Sequence, residues 1–323
     1  MEPVTRRTAL RAAIACIGVL FVGVAFAASY VGALHEPKPH RIPLAVAGPD
    51  AVAARVGGSP AFAVHRYASG PAAAQAVRER HVDGALIVGD SRPTVVVASA
   101  GGPSVADVLR SRLAPQLHAT VSDVAPLPAN DARGLAAFYV VVAWTVTGYL
   151  GATFLGLLFG IRLSGAARIG WRLLALACLS LAAGFATLAA VRAFGPLQHA
   201  YVRTSLAGAL AVFAVAAATV ALQSVLGLVG TGVAIVVFVV LGNPASGGIF
   251  AAPLLPGLWR SLTPVLPTGA AVETVRNLSF FPDASSAAHL LTLAAWAAGG
   301  CAAAVATGAA RARFVERKFN EAV

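Results

Sequence analysis

The hydrophobic pattern divides this chain into two apolar regions separated by a mixed, polar one. Residues 12–34, AAIACIGVLFVGVAFAASYVGAL, carry no charge and exceed the ~20 apolar residues that cross a bilayer core. From 134 to 310 the chain is again mostly apolar, broken by polar and turn-forming residues. Those breaks predict spans at 134–160, 172–194, 204–226, 228–242 and 287–310, which with the first make six. The run 204–242 is divided at Gly227, Gly230 and Gly232, because a single helix of that length would stretch nearly 60 Å, about twice a ~30 Å hydrocarbon core.

Between the apolar regions the pattern changes period. IPLAVAG at 42–48, AFAVHRYA at 61–68, GALIVG at 84–89 and PTVVVASA at 93–100 are short apolar runs bounded by Pro and Gly, and they predict strands. The stretches 50–56, 71–81 and 104–113 between and after them suit helices, with Pro71 in a first turn and Ser104 followed by Asp107 at a helix start. The predicted fold class is an α-helical integral membrane protein of six transmembrane helices, with a small α/β extracytoplasmic domain inserted between the first and second. Its parts are a tail and first helix at 1–34, the α/β domain at 35–133, a five-helix domain at 134–310 with a re-entrant segment at 243–286, and a tail at 311–323.

Composition agrees: 58% of residues are hydrophobic and 11% charged, against ~25% charged in soluble domains. The net charge of +11 has no basic stripe interleaved with aromatics, so nucleic acid is not an expected partner. Its placement gives an orientation instead. Segments 1–11, 161–172 and 311–323 hold ten Arg or Lys, while the loops 195–203 and 243–286 hold only Arg203, Arg260 and Arg276. Basic short loops stay cytoplasmic, so both tails are expected inside a bacterial inner membrane and 35–133 outside. Arg-rich, Lys-poor usage, with Lys38 and Lys318 the only lysines, fits a high-GC bacterial genome. The first span reads as an uncleaved anchor, its apolar region being longer than the ~7–15 residues of a signal core. Cys16, Cys178 and Cys301 all fall in apolar spans and read as small core residues.

Catalytic and coupling motifs are missing from the text of the chain. It contains no GxxxxGK[ST], HExxH, CxxC or GxSxG sequence, so no enzymatic activity and no cofactor are expected of this chain. No Asp or Glu occurs from Ala132 to Val272 or from 284 to 315, which disfavours carboxylate-driven antiport. His289 and Arg192 read as interfacial. Gln223 is the most polar side chain at mid-depth in a span and suits a hydrogen bond to a neighbouring helix. In GYLGATFLGLLFG, Gly156 and Gly160 form a GxxxG pair that reads as helix packing, either within the chain or in a dimer.

The most distinctive local sequence runs from Asn243 to Asp283, NPASGGIFAAPLLPGLWRSLTPVLPTGAAVETVRNLSFFPD. Prolines cut it into pieces too short to cross, yet Trp259, Phe280 and Phe281 keep it apolar. Backbone of this kind is tolerated at membrane depth where protein or a watery cavity covers it. We read re-entrant or interfacial helices lining an outer vestibule, with Asn243, Pro244, Trp259, Arg260, Pro264 and Pro267 shaping it. Thr268 is placed to cap a short helix, on which Glu273 and Arg276 share a face.

The first span, the outward insert, GYLGATFLG and above all NPASGG followed by APLLPGLWR and LPTGAAVETVRN resemble ABC transporter permeases of the type-2 superfamily, specifically the bacterial branch related to phage infection protein. The resemblance implies an exporter subunit that pairs as a homodimer around a pathway for an amphiphilic or lipid-like substrate. It also implies a separate ATP-binding subunit on the cytoplasmic loops. By position, IRLSGAARIGW at 161–171, with Arg162, Ser164 and Arg168, corresponds to the coupling loop and 249–281 to short outer helices. The rival expectation is a non-transporting receptor or scaffold that presents the outer domain.

Overall fold

The computed structural model describes residues 6–162 and 165–320. The first apolar run forms helix α1, Arg6–Leu34. The polar region that follows folds into an α/β layer: strands β1 (Ile42–Ala47), β2 (Phe62–Arg66), β3 (Gly84–Ile87), β4 (Thr94–Val97) and β5 (Thr120–Asp123), with helices α2 (Asp50–Gly57), α3 (Gly70–Arg78), α4 (Pro103–Val108) and the short α5 (Ala114–Gln116). The four expected strands are present. The fifth, TVSD, is a short edge strand with an exposed, polar pattern, so it lacks the apolar run that announces the others. The sheet order is β2-β1-β3-β4-β5, parallel except between β3 and β4.

Alternation along these strands gives the sheet two apolar faces. Ile42, Leu44, Val46, Leu86, Val95 and Val97 pack under Val105, Leu109 and Leu113 on one side; Ala45, Ala47, Ala85 and Val96 pack against Ala73, Ala76 and Val77 of α3 on the other. Neither face closes on itself. Leu254 completes the first cluster and Phe281 the second, so the layer is seated on the 243–286 segment.

The remaining apolar runs form α6 (Ala136–Phe159), α7 (Ala166–Arg192), α8 (Tyr201–Leu226) and α13 (Ala287–Asn320). With α1 these make five helices, among the described residues, long and apolar enough to cross a membrane. Helix α8 is central, its apolar window 72% buried against 22–39% for α6, α7 and α13. The neighbours approach it closely through glycine: a Cβ on Gly148, Gly184 or Gly300 would lie 2.7, 2.3 or 2.6 Å from α8 backbone atoms. Small residues at such crossings let packing replace the hydrophobic drive that lipid does not supply.

The expected break in 204–242 occurs at Gly227, whose φ of 65° terminates α8. The 228–242 run becomes one continuous helical segment, Val229–Ala245, made of α9 (Val229–Ile235), a π-helical stretch Val236–Leu241, and α10 (Gly242–Ala245). At ~1.5 Å per residue it is ~25 Å long, short of a full hydrocarbon core. Its wide turn precedes Pro244, which lacks an N–H and crowds the carbonyl four residues back.

Hydrogen bonds define the two ends of the bundle. At one, Arg162 donates to Val225 O (3.2 Å), Arg311 to Ser224 O (2.9 Å) and Gly165 N to Gly308 O (3.1 Å). At the other, His40 N donates to Pro253 O (2.9 Å), Ala251 N to the Ser104 hydroxyl (3.1 Å) and Trp259 Nε1 to Ser29 Oγ (3.1 Å). Val229–Ala245 runs from the first end towards the second. The cysteines depart from the core reading: Cys16 and Cys178 are exposed and Cys301 is partly so, on helix faces that a bilayer rather than protein would cover.

Candidate functional site at the junction of sheet and helices

The Pro-Gly segment builds this site. Short helix α11 (Gly257–Leu262) and helix α12 (Pro267–Phe280) are separated by a turn that contains Pro264. Pro267 occupies the first turn of α12, where its missing N–H is not needed. Thr268 does not cap this helix. Leu266 is the cap residue, and the Thr268 hydroxyl donates instead to Gly242 O at 2.8 Å, tying α12 to α10.

Glu273 and Arg276 share a face of α12 as their spacing predicts, 3.1 Å apart. Arg276 is 1% exposed, and NPASGG supplies its acceptors: it donates to Gly247 O at 2.9 Å and Gly248 O at 3.1 Å. Gly247 has φ 74°, a conformation that favours glycine, and a Cβ on Gly248 would lie 2.3 Å from Phe138. The motif is thus a backbone receptor for a buried guanidinium. Asn243 and Pro244 are buried beneath it, and Trp259 faces α1, its ring within 3.0 Å of where a Gly32 Cβ would be.

A third charge comes from the sheet layer. Arg80 follows α3 with φ 59°, a left-handed conformation uncommon for a residue with a Cβ. It reaches Glu273 Oε2 at 2.7 Å, donates to Asn277 Oδ1 at 2.7 Å and Gly101 O at 3.2 Å, and lies 5.1 Å above the Phe281 ring. Burial raises the Glu273 pKa, but Arg80 and then Arg276 outweigh it and hold the carboxyl below its usual range. The carboxylate is therefore a fixed anion between two cations.

Beside this triad lies a cavity of ≈ 550 Å³. Asp83, Arg260, Glu273, Asn277 and His289 give it a polar side, and Val77, Val105, Pro264 and Phe281 an apolar one. Burial pushes the Asp83 carboxyl up to about 6; Arg80 opposes the shift and the Glu273 charge adds to it. The sequence pointed to Arg260, Pro264, Glu273 and Arg276. It gave no sign of Arg80, Asp83 or Asn277, which enter only because the sheet is docked on α12.

The opposite end holds a second polar cluster. Arg172, counted with the loop arginines, is instead inside α7 and 4% exposed. It donates to Gln223 Oε1 and, at 2.5 Å, to Ala152 O; Gln223 in turn donates to Thr231 (2.8 Å) and Thr153 (3.2 Å). Gln223 thus makes the interhelical bonds expected of it. Within the chain Gly156 and Gly160 do not pack as a pair. A Cβ on Gly156 would lie 2.7 Å from Arg172 Nη2, so this glycine makes room for a guanidinium, while Gly160 is exposed at φ 101° and ends α6. Of the coupling-loop residues, Arg162 holds the α8–α9 turn, Arg168 is exposed on the first turn of α7, and Ser164 lies outside the described residues.

No group of His, Cys, Asp and Glu among the described residues is arranged to hold a metal ion. Comparison with protein-family models, curated proteins and solved structures finds no match to this chain.

Proposed function

We propose that this chain is a permease subunit of an ABC-type exporter, moving an amphiphilic or lipid-like substrate as half of a homodimer, with ATP hydrolysed by a separate subunit. The observation that carries the reading is the cavity between sheet and helices. Its charged side suits a headgroup and its apolar side a chain, and it lies where the sheet layer, the 243–286 segment and helix α13 meet. Val229–Ala245 then serves as a sixth crossing, shortened and completed by the buried NPASGG turn. That count leaves both tails in the cytoplasm of a bacterial cell, together with the Arg-rich ends. Arg162 and Arg168 form the docking surface for the ATPase.

The partner is the part of this reading most open to direct test. Affinity purification of the full chain from its native membrane, with crosslinking, should recover a nucleotide-binding protein whose ATPase rate changes on association. Replacing Arg162 and Arg168 by Glu should weaken recovery while membrane insertion persists, since such charges act mainly by steering association. Recovery of only envelope or extracellular proteins, bound through residues 35–133, would favour the receptor or scaffold reading.

A further inference from the structure

A second cavity, of ≈ 600 Å³, opens at the sheet-side end of α8, and its chemistry is one-sided: His199 and Arg203 line it, and no Asp or Glu does. The N-terminus of α8 is uncapped there. Ala200 holds the cap position in a left-handed conformation with no side chain to offer, and the first intrahelical bond is donated by Thr204 to Ala200 O at 2.9 Å. The amides of Tyr201, Val202 and Arg203 lie ahead of that ladder, at the positive end of a 26-residue helix.

The opposing wall supplies an independent observation. Ser279 and Ser286 line the same cavity, are 4% and 9% exposed, and carry hydroxyls with no hydrogen-bond partner among the described residues. Buried hydroxyls are ordinarily paired. We propose that this cavity binds a phosphate-class anion, with Arg203 supplying charge and the α8 amides, His199 and the two serines donating hydrogen bonds. Val202 and Leu206, exposed and apolar on the flank of α8, would carry acyl chains if the anion is a lipid headgroup. The inference is independent of the transport reading.

The test uses the full chain, purified and delipidated in neutral detergent, with thermal unfolding followed as ligand is added. Arg203 makes no side-chain hydrogen bond or ion pair among the described residues, and the Ser279 hydroxyl is unpaired, so Arg203→Gln and Ser279→Ala should unfold at the wild-type temperature without ligand. The site should show as saturable stabilisation by inorganic phosphate or by phosphatidylglycerol, with apparent affinity falling about tenfold in each variant. Stabilisation by phosphate alone at matched ionic strength identifies a soluble ligand; stabilisation by the lipid but not by phosphate identifies a headgroup. No stabilisation by either, or equal stabilisation of wild type and Arg203→Gln, overturns the proposal.

Discussion

Arg80 of the sheet layer reaches Glu273 of α12 at 2.7 Å, and the same carboxylate holds Arg276, which is otherwise buried against backbone carbonyls. One carboxylate therefore joins the sheet layer to the helical body. Glu273→Gln leaves Arg276 buried without its counter-charge and should lower stability by about 3–5 kcal/mol. Arg80→Met leaves the Glu273–Arg276 pair intact and should cost less, about 1–2 kcal/mol. Chemical denaturation of the two single variants and the double variant checks this, with a coupling energy well above zero expected for the pair.

Asp83 gives the junction a pH dependence. Its carboxyl is pushed up to about 6, above the ordinary ~3.9 of the unfolded chain. A raised acid pKa means that the folded state prefers the protonated form, so the penalty is absent below about pH 4 and full above about pH 6. Asp83→Asn should stabilise the protein at pH 7.5 by about 1–2 kcal/mol, a figure reduced because the residue is partly accessible. The gap should close on acidification between pH 6 and 4. Unfolding midpoints of both proteins across pH 4–8 provide the measurement, and a gap that is constant with pH contradicts the assignment.

At the other end, Gly156→Ala should displace the Arg172 guanidinium, whose Nη2 would lie 2.7 Å from the new Cβ. Removing the acceptor instead, by Gln223→Leu, leaves a buried charge-assisted bond unmade and should cost about 2–4 kcal/mol. Both variants should lower the unfolding temperature with oligomeric state unchanged, as read by light scattering. A shift from dimer to monomer in Gly156→Ala, with stability kept, would restore the helix-pair reading of GxxxG.

The sequence made the helices legible because long unbroken apolar runs and glycine breaks are local signals. It placed the end of α8 at Gly227 and the breaks at Pro264 and Pro267. What it could not carry was contact between distant segments. Arg172 reads as a loop arginine because it lies within the first turns of an apolar run, and only Gln223, Ala152 and Gly156 show why it is buried. Arg80 looks like one of many surface arginines at the end of α3, since its partner is on α12. Thr268 looked like a cap because its hydroxyl has the right chemistry, but Gly242 O takes the bond.

Topology has its own check. Single cysteines at Ser91 and Asn320 in a Cys-free background, treated with a membrane-impermeant thiol reagent in intact cells, should label at Ser91 only. Labelling at Asn320 from outside would mean an odd number of crossings.

The proposed activity is tested most directly in proteoliposomes that contain the chain and its co-purified ATPase, loaded with a fluorescent lipid analogue. ATP should relocate the analogue between leaflets or into an outer acceptor, and Pro264→Ala with Pro267→Ala should abolish this. The double change removes ~3 kcal/mol of helix-breaking penalty at each site and lets 257–279 lengthen past the cavity, while folding of the sheet layer is kept. Relocation that needs ATP and is lost in the variant is the predicted result; no relocation by wild type with a verified, active ATPase would contradict the permease reading.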